Sequence, residues 1–125
     1  MYIIWYMGAV RMEPRKFEVV FYRTASGDEV VRDWLRDLER EDRLAIGQDL
    51  MRLQFRWPVG MPLCRPLGDG LWEVRSALAR GRIARVLFGL VDGRILAVSG
   101  FIMTTQKTPG PELALARRRL KEFSK

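Results

Sequence analysis

Two arginines stand where a strand pattern would otherwise be apolar. Over Leu71 to Leu78 the two-residue period of a strand puts Trp72, Val74 and Ser76 on one face and Glu73 and Arg75 on the other. Arg75 therefore lies mid-strand beside an acid, either as half of a cross-strand ion pair with Glu73 or Glu18, or as a cation offered to an anion. Arg85 interrupts the run IARVLF, where an apolar side chain would pack better. Something charged must lie against it, in a buried pair or at a site. The stretch FIMTTQKTP, Phe101 to Pro109, carries Thr104, Thr105, Gln106, Lys107 and Thr108 from a strand end toward a helix start. Backbone amides there favour an anion, although threonines also serve as plain caps. Arg80 and Arg82 flank Gly81 in a turn, as phosphate contacts or as solvated cations.

What is missing narrows the chemistry further. The chain has no histidine, so imidazole acid–base catalysis and histidine metal ligation are both excluded. One cysteine, Cys64, allows neither an intrachain disulfide nor a cysteine-cluster zinc site. Arginine, lysine, carboxylates and hydroxyls remain for any catalysis, with no cofactor expected. The net charge of +7 is unevenly spread. Met1 to Cys64 holds ten Lys/Arg against ten Asp/Glu, whereas Arg65 to Lys125 holds twelve against five. A one-sided basic surplus attracts phosphate polyanions and makes nucleic acid the natural ligand, with a solubilising excess as the plainer alternative.

The elements that must position these residues follow from periodicity. A chain of 125 residues, 48% hydrophobic and 30% charged, suits one globular domain with one core. Residues 1–15 read as an N-terminal extension and residues 16–125 as the domain. The opening MYIIWYMGAV is too short to span a bilayer and lacks the basic start of a signal peptide, which points to a cytoplasmic protein with no membrane partner. Met12 is an alternative start, or the first ten residues form an extra edge strand or an oligomer contact. Phe17 to Tyr22 reads as a first strand. Ser26 and Glu29 have capping-box spacing, and Val30, Val31, Trp34, Leu35 and Leu38 then form a helical stripe. Ile46, Leu50, Leu53 and Trp57 form a second, ended by Pro58. Pro58 to Gly70 reads as a loop. Strands Leu71 to Leu78, Arg82 to Leu90 and Arg94 to Ile102 follow as an antiparallel meander, the last two joined by Asp92-Gly93. A final helix begins near Pro109, with Leu113, Ala116, Leu120 and Phe123 inward. The fold class is α+β, an αα-hairpin packed on a small antiparallel sheet with a C-terminal helix.

The segments FYRTASGDEVVRDWL, EDRLAIGQDL, WPVGMPLCRPLGDGLWEVRSAL, RIARVLF and GFIMTTQKTP, in that order, resemble the phage-derived HigB-like branch of the RelE/ParE toxin superfamily from Phe17 to Lys121. The combination is specific although each piece alone is not. The resemblance implies the toxin of a type II toxin–antitoxin system, a metal-independent endoribonuclease that cleaves mRNA, commonly on the ribosome, and is neutralised by a cognate antitoxin, here a small helix-turn-helix protein. It assigns Arg75 to the scissile phosphate, Arg85 to a position near the cleft and Lys107 to a basic position after the last strand. Arg65, Arg80, Arg82, Thr105 and Gln106 become the RNA-binding candidates. The same superfamily offers a different function, a ParE-like inhibitor that binds a topoisomerase, and a basic nucleic-acid-binding module without chemistry is a third. One departure stands out: family members often carry two lysines just before TQKTP, and this chain has Met103 and Thr104. Two transition-state cations fewer would cost about a few kcal/mol in barrier.

Overall fold

The helical stripes and the alternating strands come together as one five-stranded sheet with helices on both faces. The computed structural model describes residues 4–7, 9–11, 17–104 and 107–123, with side chains from Phe17 onward. In chain order the elements are β1 (Ile4–Met7), β2 (Ala9–Arg11), β3 (Glu18–Phe21), α1 (Val30–Asp37), α2 (Arg40–Arg56), β4 (Cys64–Gly68), β5 (Leu71–Ala77), β6 (Ile83–Val91), β7 (Arg94–Met103) and α3 (Gly110–Phe123). The main sheet has the order β3-β7-β6-β5-β4, while β1 and β2 pair antiparallel as a separate two-stranded sheet.

The meander β5-β6-β7 is antiparallel as its pattern requires, and Asp92 and Gly93 both take positive φ, 51° and 74°, in the tight turn between β6 and β7. The sheet as a whole is mixed, because β3 lies parallel to β7 with Glu18 opposite Arg94 and Phe21 opposite Ala97. The segment read as loop also holds a strand. β4 pairs antiparallel with β5 at the sheet's edge, where Pro66 costs no ladder bond that another strand needs. The capping box does not form. Glu29 is the residue that precedes α1, but its carboxylate goes to Arg23 at 2.9 Å and Arg32 at 3.5 Å, and the Ser26 hydroxyl donates to Asp28.

Each face of the sheet carries its own core. On one, Val31 of α1 and Ile46, Leu50 and Leu53 of α2 pack on Val74, Val86, Phe88, Ile95 and Ala97. Trp57 meets Trp72 and Phe88 edge-on at 4.9 and 5.4 Å. On the other, Ala116, Leu113 and Leu120 of α3 cover Leu71, Leu87, Leu96 and Val98. Phe123, expected inward, is 43% exposed beyond the end of that contact. Gly100 and Gly89 let the helices come close: a Cβ on Gly100 would lie 2.5 Å from the Trp34 ring, and one on Gly89 would lie 2.5 Å from Leu120. Arg119 folds back to donate to the Val98 carbonyl at 2.8 Å and lies over the Tyr22 ring. The α3 helix thus covers one end of its sheet face. The other end is left to charged residues.

Candidate functional site

Those charged residues are set by strand register. Side chains opposite one another in an antiparallel pair point the same way, as do residues two apart on one strand. Arg65 is opposite Glu73, and Arg75 is opposite Arg85, so Arg65, Glu73, Arg75 and Arg85 share one face, the one that α3 partly covers. Thr108, just before α3, reaches into the middle of them. Its hydroxyl donates to Glu73 Oε1 at 2.6 Å and accepts from Arg85 at 2.9 Å. Arg85 also reaches Glu73 Oε1 at 3.3 Å, and Arg65 donates to Oε2 at 3.0 Å.

This makes Glu73 a hub. It has no exposed surface, and three donors from three segments converge on its carboxylate. Buried charge is tolerated only when paired and hydrogen-bonded, and both conditions hold here. Burial pulls the Arg85 guanidinium below its usual range, the Glu73 carboxylate opposes that shift, and the nearby charges of Arg75 and Arg65 add to it. Positive charge is therefore in surplus around one carboxylate. An anion placed against Arg75, Arg65 or Lys107 would relieve that repulsion. Such a cluster can stabilise negative charge.

The residues singled out in the sequence fall into separate groups. Arg75 is partly exposed at the end of the β4–β5 ladder, where β4 no longer covers β5 and the Arg75 amide bonds the Leu63 carbonyl at 2.8 Å. Lys107 is exposed and lines a hollow with Arg65, Leu67, Thr108 and Leu113. These three cations surround the hub. Arg85, expected near the cleft or in a buried pair, is completely buried and bonded to Glu73 and Thr108. Arg82 is likewise taken. Its guanidinium clamps the buried Asp42 carboxylate at 2.8 and 3.0 Å, joining the β5–β6 turn to the first turn of α2, and the hydrogen bonds from Arg82 hold the Asp42 carboxyl below its usual range. Arg80 is exposed in that turn with φ 63°, away from the hub. Thr105 and Gln106 lie outside the described residues. Met103 and Thr104 line a shallow hollow with Arg82 and Ile102, so lysines there would add charge beside the β5–β6 turn.

Sequence reasoning missed the hub itself. The signal was present, since Arg85 demanded a buried counter-charge and Glu73 is the acid on the same face of the neighbouring strand. Thr108 could be placed near a helix start but not inside the sheet's polar core.

Helices on both faces of a mixed sheet, ending in a C-terminal helix beside a histidine-free cation cluster, define a domain with the RelE-like fold. Residues 33–121 match the family described as phage derived protein Gp49-like (DUF891). The chain belongs to that family, which is grouped with the RelE/ParE-like toxins. No curated protein matches it. Among the described residues no helix is long and apolar enough to cross a membrane, and no three His, Cys, Asp or Glu side chains are grouped to hold a metal ion.

Proposed function

We propose that this chain is the toxin of a type II toxin–antitoxin system, of the HigB-like branch, and that it cleaves mRNA as an endoribonuclease in the cytoplasm. The observation that carries the reading is the surplus of cations, Arg65, Arg75 and Lys107, set around the Glu73 hub, with no histidine in the chain to act as a general base. Such a site suits a reaction in which the substrate supplies its own nucleophile. The RNA 2′-hydroxyl attacks the adjacent phosphorus, a P–O2′ bond forms, and the P–O5′ bond breaks to leave a 2′,3′-cyclic phosphate and a 5′-hydroxyl. Charge on the phosphorane grows during attack, and Arg75 is the cation best placed to stabilise it. Its proton partners are water or the ribosome, on which the message would be held. A small helix-turn-helix antitoxin is the expected protein partner.

Met103 and Thr104 favour a second reading, a basic module that grips RNA without cutting it, because they stand where similar toxins carry lysines. Expression in a bacterium separates the two. The first reading expects growth arrest with cleaved mRNA for the wild type and normal growth for Arg75→Ala. Growth arrest with intact mRNA and damaged DNA, or equal toxicity of Arg75→Ala, would overturn it.

A further inference from the structure

Beside Arg75 lies a cavity of about 550 Å³ between α2, the segment before β4 and the β5–β6 hairpin. Pro62, Leu63, Ala45, Ala77 and Ile83 give it apolar walls, and Gln48, Asp49 and Arg52 form a polar rim along one side of α2. The Asp49 side chain is only 16% exposed. Arg52 bonds its Oδ1 at 3.1 Å, and a carboxylate so engaged keeps further acceptor capacity. Its negative charge also reaches inward, where it helps raise the Cys64 thiol.

We infer that this cavity is a nucleobase pocket selective for guanine. Aliphatic walls accept the faces of an unstacked base, and single-stranded RNA is read by its Watson–Crick edge. A carboxylate only accepts hydrogen bonds, so it selects for adjacent donors. Guanine presents N1–H and the N2 amino group side by side. Adenine and cytosine each place an acceptor next to their amino group, and uracil flanks its one N–H with two carbonyls. The Gln48 amide and the Arg52 guanidinium supply donors for O6 from the same helix. Because Arg75 lines this cavity and also shares the face of the hub, a base held here would bring its own phosphate to Arg75.

The pocket's use in cleavage rests on the endoribonuclease reading, but its binding does not. Calorimetry with guanosine, adenosine, cytidine and uridine 5′-monophosphates should show the guanosine nucleotide binding at least about tenfold more tightly, as expected for one good bidentate pair. Asp49→Asn should bring it to within about twofold of the others, with the thermal melt confirming a folded variant. Methyl resonances of Leu63 and Ile83 should shift on titration. Equal affinity for all four nucleotides, a preference that survives Asp49→Asn, or shifts confined to Leu67 and Leu113 beside Lys107, would overturn the pocket. Guanosine selectivity without RNA cleavage would keep the pocket and sink the nuclease reading. Cleavage without base preference would do the reverse.

Discussion

Two arginine–carboxylate contacts tie the sheet to its surroundings, and they are built on different plans. Asp42 and Arg82 meet one to one, in a forked, largely buried pair that joins α2 to the β5–β6 turn. Glu73 serves two arginines and a threonine, and does so with no exposed surface. A one-to-one pair neutralises itself and leaves nothing to offer a ligand. A hub with more cations than carboxylates holds positive charge in a fixed place, which is what an anion-stabilising site requires. The clamp accordingly reads as structure and the hub as the foundation of a site.

The largest expected effect comes from emptying the hub. Glu73→Ala leaves buried Arg85 without its carboxylate, and removing one partner of a buried pair costs about 3–5 kcal/mol. Urea unfolding would register this as a lower midpoint. A loss under 1 kcal/mol would erase the contrast with the clamp. Arg82→Ala should lower the melting temperature by less, and its effect should depend on pH in a definite direction. The folded Asp42 carboxyl titrates below its unfolded value because Arg82 donates to it. The clamp therefore contributes fully above the unfolded carboxylate range, near pH 4, and loses its contribution as pH falls through the lower folded value. The gap in melting temperature between wild type and Arg82→Ala should close on acidification. A gap that stays constant down to pH 2 would remove Asp42 from the account.

Thr108→Val sharpens the comparison at smaller scale. It deletes one hydroxyl that both donates to Glu73 and accepts from Arg85, at a cost of about 1–2 kcal/mol, and it should loosen Lys107 next door. RNA affinity should then fall with the fold intact. Cys64 supplies a readout for all these variants. Burial, aided by the Asp49 charge, pushes its thiol up to about 12, so alkylation near pH 8 should be slow in the native protein and should quicken as variants open the β4–β5 edge. Rapid labelling of the wild type at that pH would contradict the packing described for β4.

The parts of this fold legible in the sequence were those with local periodicity. Val31 and Trp34, the Ile46–Leu53 stripe, the alternation of β5 and the Asp92-Gly93 turn each announce their element over a few residues. The parallel β3–β7 pairing was not legible, because Val19 and Ile95 are brought together by everything between them. Nor was β4, whose Pro66 and Gly68 imitate a loop and are tolerated only at an edge. At the site, the shared face of Arg75 and Glu73 follows from strand period alone. The burial of Arg85 and the capture of Arg82 by Asp42 do not, since both depend on a partner supplied by another segment.

In the proposed function Arg75 stabilises the transition state of RNA cleavage while the buried hub holds the scaffold. That function is tested most directly by incubating purified wild type and Arg75→Ala with RNA, on and off ribosomes, in the presence of a chelator, and determining the product ends. The wild type should leave 2′,3′-cyclic phosphate or 3′-phosphate ends. Arg75→Ala should lose about a hundredfold or more in rate, with unfolding free energy unchanged to within about 0.5 kcal/mol. Cleavage of an all-deoxy substrate, a requirement for magnesium, or full activity in Arg75→Ala would contradict the proposed function.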